Sequence, residues 1–158
     1  MSISFLYYFL ILMSLSSTKG VQISESPLAH INQVQVYYFY DSRLPNTVSN
    51  RLGYLTEDLL HKQYQQQIDN KYIIYHKIDI ATPKGESIAS HCDISMTGLI
   101  IGRMSKAVNL TQSAYALVTY DPEGFQQNLA FNIDKLLPKK AKEIHSANEA
   151  EKNRQKKQ

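Results

Sequence analysis

The chain is short of the residues that most redox and metal chemistry requires. It has a single cysteine, Cys92, in 158 residues. One thiol makes no intramolecular disulfide, and a zinc site built from several cysteines is excluded. Tryptophan is absent beside eleven tyrosines, a choice of aromatics that suits strands half in and half out of a core. There is no Gly-rich phosphate loop, no Gly-x-Ser-x-Gly elbow, no His-Glu-x-x-His and no suggestively spaced carboxylate pair. The five histidines are scattered singly. The constellations of phosphoryl transfer, serine hydrolysis and zinc hydrolysis are therefore missing, and no metal or cofactor is expected.

Charge of one sign is also scarce over most of the chain. The formal net charge is +3, but from Lys139 onward basic residues outnumber acidic ones by four. The excess belongs to one terminal segment, which argues against a basic globular face for nucleic acid. That tail reads either as a solvated extension or as a contact for an anionic membrane surface or acidic partner.

The apolar stretch from Ile3 to Leu15 is about 13 residues, the length of a secretory core and short of the ~20 that span a bilayer as a helix. Small residues follow, among them Ser17 and Gly20. Residues 1–20 thus read as a signal peptide or an anchor, with a buried helix as the remaining reading. The chain is expected to be exported, periplasmic or extracellular, or held at the membrane by residues 3–15. No cysteine follows this run to carry a lipid.

Residues 21–32 form a polar lead-in. A domain is expected over 33–138, and a frayed helix or disorder over 139–158. Val34 to Tyr40 is an apolar strand suited to burial on both faces. After a polar turn, Val48, Leu52, Leu55 and Leu59 form one helical stripe. Asn46 or Thr47 is its N-cap, and the polar run Gln63 to Asn70 is expected to end it. Tyr72 to Ile80 is a second strand, on which His76 reads as a partly buried strand residue. A short helix follows over Glu86 to His91, placing Cys92 inward beside Ile88. Gly98 to Met104 is a third strand, and Ala107 to Leu110 pairs back as an edge strand. Asn109-Leu110-Thr111 matches a glycosylation sequon, meaningful only in a eukaryotic secretory pathway. Gln112 to Tyr120 is ambiguous, and reads as a helical turn. Asp121-Pro122-Glu123 starts a last helix with the stripe Phe125, Leu129, Ile133 and Leu136. Burying each of these contributes about 1.5–3 kcal/mol.

This order of strands and helices, with YYFYDSRLPNT at the first strand-to-helix junction, resembles the thioredoxin fold. It is similar in particular to small bacterial envelope proteins with an aromatic first strand followed by Cys-Pro-Thr-Cys. The resemblance spans roughly Val34 to Leu137. It implies an α/β three-layer sandwich, a central mixed sheet of about four strands with helices on both faces. The family's attacking cysteine falls on Leu44, its proline on Pro45, its variable residue on Asn46 and its second cysteine on Thr47. A cis-proline before the third strand falls at about Thr97. Thiol exchange needs a thiolate at the helix N-terminus and a second thiol to resolve the mixed disulfide. Leucine and threonine supply neither, so dithiol oxidoreductase activity is not expected.

Two functional readings follow. In the first, the chain is a redox-inactive binding or scaffold module that docks an envelope protein or peptide at the family's active-site rim: Tyr40, Asp41, Ser42, Arg43, Leu44, Pro45, Asn46, Thr47 and Thr97. In the second, Cys92 acts alone in thiol–disulfide exchange. Accessibility of the native thiol to Ellman reagent separates the two.

Overall fold

The computed structural model describes residues 32–44 and 46–155. The expected leader, most of the lead-in, Pro45 and the last three residues lie outside the described residues. Chain order is β1 (Val34–Tyr40), α1 (Thr47–Asp69), β2 (Ile73–Asp79), α2 (Pro83–His91), β3 (Gly98–Arg103), β4 (Lys106–Asn109), α3 (Thr111–Val118), α4 (Pro122–Leu136) and α5 (Lys139–Gln155). The four strands form one sheet in the order β2-β1-β3-β4. β1 runs parallel to β2, with Val34 opposite Ile73. It is antiparallel to β3, with Phe39 opposite Gly98. β4 pairs antiparallel with β3 and forms an edge.

Alternation along the strands sorts the core into two clusters. Val34, Val36 and Tyr38 of β1 face one side, with Leu99 and Ile101 of β3 and Ile73 of β2. They meet Leu52, Leu59 and Leu60 of α1, Ala114 and Val118 of α3, and the Phe125-Leu129-Ile133 stripe of α4. Phe39 and Ile100 face the other side, where α2 and its flanks supply Ala89, Ile80 and Ile94 in a smaller cluster. The result is a sheet with helices on both faces, the three-layer α/β architecture anticipated from the order of elements.

Several boundaries differ from the sequence-based expectations. α1 does not end in its polar stretch but continues to Asp69. Tyr64 and Gln67 on that stretch are fully buried, so tertiary packing overrides the polar composition. The Tyr64 hydroxyl donates to the Ala130 carbonyl at 3.2 Å and to Asp134 Oδ1 at 2.9 Å, tying α1 to α4. α2 begins earlier, at Pro83, because Thr82 caps it by accepting from Gly85 N–H. Residues 111–118, ambiguous in sequence, form the helix α3. The basic segment is helical through Gln155, and its first turns are docked on the domain. Ala141 is buried in the main cluster, and the His145 ring stacks on Tyr64 at 4.8 Å between centroids. Among the described residues no helix is long and apolar enough to cross a membrane.

Candidate functional site

The junction between β1 and α1 is built from local hydrogen bonding. β1 ends where Tyr40 O accepts from Ile80 N–H at 2.8 Å. Asp41 then folds the turn onto itself. Its carboxylate accepts from Arg43 N–H and Nε, both at 2.9 Å, and from Nη2 at 2.7 Å. The guanidinium holds the Asp41 carboxyl below its usual range, and the carboxylate raises Arg43 in turn. Across the sheet edge, Asp79 Oδ1 accepts from Ser42 N–H at 3.1 Å and Ala81 N–H at 3.0 Å, joining the β1–α1 and β2–α2 loops. Hydrogen bonding from the Ser42 side chain foremost, with these two backbone bonds, holds the Asp79 carboxyl below its usual range. Asn46 caps α1, its Oδ1 accepting from Val48 N–H at 2.9 Å.

Beneath this surface lies a chain of three hydroxyls. Thr97 Oγ1 donates to Ser49 Oγ at 3.1 Å. Ser49 Oγ lies 3.1 Å from the Tyr38 hydroxyl, which donates to the Ser49 carbonyl at 2.7 Å. Each hydroxyl thus has a partner, and the loop before β3 is pinned to the first turn of α1. Gly53, one turn further along α1, makes room for the Tyr38 ring. A Cβ there would stand 2.7 Å from Tyr38 Cε1, so the ring packs directly on the helix backbone.

On the segments that lead into α1 and β3, two apolar side chains stand in solvent: Leu44 is 68% exposed and Met96 62% exposed. Leu44 precedes α1, and Met96 precedes the buried Thr97. Through its bond to Ser49 the structure brings Thr97 to the first turn of α1. Ser42, Arg43, Asn46 and Thr47 are exposed, Tyr40 and Asp41 half-buried, and Pro45 lies outside the described residues. Sequence reasoning missed Ser49, Gly53 and Met96. A second helical line, Ser49, Gly53, Thr56 and Leu60 at spacings of three and four, was the available signal. Its small members mark a close approach of helix to sheet.

Cys92 sits elsewhere. It closes α2 on the opposite face of the sheet, half-buried beside the smaller cluster. It lines a cavity of about 420 Å³ with Gln35, Tyr37, Ile100, Gly102 and Ala107 among others. Gln35, Gly102 and Ala107 are register partners across β1, β3 and β4, so two small side chains in one row open this groove. From Tyr37, the groove residue of β1 nearest the rim, to Asp41 the chain advances roughly 13 Å at ~3.3 Å per residue. Burial pushes the Cys92 thiol up, the opposite of what a reactive thiolate needs. Among the described residues no three His, Cys, Asp or Glu side chains are grouped to hold a metal. His76 is engaged within the sheet, with Nε2 2.7 Å from Gln35 Oε1 and its ring stacked on Tyr37.

The strand order, the one parallel and two antiparallel pairings and the helix-capped junction define a thioredoxin-like fold. The sequence matches no protein-family model and no curated protein. Among solved structures the chain is similar to one described as the structure of a malarial protein. That match has a TM-score of 0.37 and 18% identity over 54% of this chain and 94% of the other. It is also similar to mitochondrial thioredoxin 3 from Saccharomyces cerevisiae in its oxidized form, with a TM-score of 0.38 and 17% identity over 56% of this chain and 78% of the other.

Proposed function

We propose that the chain is an exported, thioredoxin-like binding module that works without a redox dithiol and docks a protein or peptide partner at the β1–α1 rim. The observation that carries this reading is the pair Leu44 and Met96. Both are large, apolar and exposed, on two loops held together by the Thr97-Ser49-Tyr38 hydroxyl chain. Apolar anchors on a rigid frame lose little conformational freedom on binding, which suits a docking surface. Leu44 and Thr47 stand where the resemblance to envelope oxidoreductases would put sulfur, so the same surface offers contact instead of electron transfer. The apolar run from Ile3 to Leu15 supports export. The single-thiol alternative draws no support from Cys92, which lies on the other face, where burial pushes the thiol up.

The test is recovery of partners from envelope extracts by the full chain, compared with Leu44→Asp and Met96→Asp. Both sites are exposed, so folding is preserved, and each charge should lower recovery of a rim-bound partner about tenfold. Equal recovery of every partner by all three chains would remove the rim as the docking surface.

A further inference from the structure

α4 and α5 meet at an elbow whose surface chemistry the rim reading does not use. Leu137 leaves the helical conformation with ψ 136°. The Pro138 carbonyl then accepts from Ala141 and Lys142 N–H to begin α5. On α4, Phe131 is 59% exposed, although the inward stripe of that helix is complete without it. Lys135 Nζ lies 4.3 Å from the centre of its ring. Lys139, Lys140 and Lys142 follow at once, all exposed. No ion pair among the described residues engages any of the four lysines. The acids nearest in sequence are exposed Glu143 and Asp134, and the Asp134 carboxylate accepts from the Tyr64 hydroxyl.

This arrangement runs against local electrostatics. The first turn of α5 carries no acid, and its lysines crowd the positive end of the helix dipole. Each such cation is unfavourable by roughly 0.3–1 kcal/mol. An anionic surface placed against the elbow converts that repulsion into attraction. The aromatic ring narrows the choice of surface. An exposed aromatic ring with a lysine ammonium over it and further exposed lysines on the next helix is the pattern of a segment lying in a lipid interface, ring below and ammonium groups at headgroup level. An anionic leaflet attracts each lysine near it.

We propose that the α4–α5 elbow, with Phe131 and Lys135 on one helix and Lys139, Lys140 and Lys142 on the next, is a docking surface for the anionic face of a lipid bilayer. The inference is independent of the rim reading, since it concerns different residues and a different ligand. It also moves the membrane contact expected of the basic tail to the start of that tail, where the helix is fixed to the domain.

Because the chain has no tryptophan, Phe131→Trp installs a unique reporter in the full chain. Mixed with vesicles of phosphatidylcholine containing about one-third phosphatidylserine, its emission should shift to the blue. Neutral phosphatidylcholine vesicles should leave it unchanged. Adding Lys139→Gln, Lys140→Gln and Lys142→Gln to the same background should weaken vesicle binding about a hundredfold, from ~1 kcal/mol per lysine converted to affinity. Glutamine is a good helix former, and circular dichroism confirms that α5 persists. Any of three results overturns the proposal: no shift on anionic vesicles, an equal shift on neutral ones, or a shift undiminished by the three substitutions. So does a shift given by RNA or an acidic peptide but not by vesicles.

Discussion

Gln67 shows how much one side chain can leave unresolved. It is 1% exposed on the core side of α1, yet neither its amide oxygen nor its nitrogen has a hydrogen-bond partner. A desolvated, unmade hydrogen bond costs about 1–3 kcal/mol. Methionine has the same unbranched reach without the polar atoms. Gln67→Met is therefore expected to raise stability by about 1–2 kcal/mol, read from urea unfolding as a higher midpoint at unchanged slope. A lower midpoint would mean that the amide is satisfied in solution. The hydroxyl chain of Tyr38, Ser49 and Thr97 is the contrasting case, buried and fully paired. Such a network rigidifies what it joins, here the loop bearing Met96 and the helix that follows Leu44.

At the scale of elements, α1 ends in a motif with one wrong residue. Lys71 N–H donates to Ile68 O at 2.8 Å and Tyr72 N–H to Gln67 O at 2.7 Å, the paired bonds of a Schellman turn. The turn requires a left-handed residue, and Lys71 takes φ 57° there. A lysine pays a steric penalty in that conformation that glycine does not. Lys71→Gly should raise the thermal midpoint, by about 1 kcal/mol of stability, and an unchanged or lower midpoint would show that loss of chain entropy dominates. The sequence concealed this end of α1 because Gln63 to Asn70 is polar. Helix continuation there depends on Tyr64 reaching α4 across a long separation in sequence. The starts of helices were more legible, because a cap is local. Asn46 and Asp121 were both identifiable, and both accept from the N–H groups of their first turns. The two-cluster core followed from alternation along β1, but α3 did not, since Gln112 to Tyr120 has no clear stripe. Of the candidate site, the Leu44 turn and Thr97 were readable by alignment to a family pattern. Ser49 and Met96 became visible only when β3 was laid antiparallel to β1 and its preceding loop fell beside α1.

Across the whole molecule, carboxylates fasten turns and elements to one another, and their titration should couple stability to acid. Asp41, Asp58 and Asp79 are all held below the usual carboxylate range, chiefly by hydrogen bonds from Arg43, Lys62 and Ser42 respectively. A group whose folded value is depressed binds protons more readily when unfolded. Its stabilising contribution is therefore present above the unfolded value, about 3.9 for aspartate, and is lost as pH falls through the folded value. All three are only partly buried, so solvent screens the effect, which should shrink with added salt. Asp79 differs from the other two in consequence, because it joins the β1–α1 and β2–α2 loops at the rim, whereas Asp41 bonds within its own turn and Asp58 ties α1 to α4. Asparagine keeps the acceptor oxygen but cannot titrate, so Asp79→Asn should show a shallower fall in thermal midpoint than the wild-type chain between neutral pH and about pH 3. The same acidification should release Leu44 from its frame, seen as faster amide exchange at Ser42 than at Val48. Identical pH profiles for the two chains would assign the acid sensitivity to carboxylates elsewhere, and leave the rim held by the hydroxyl chain alone.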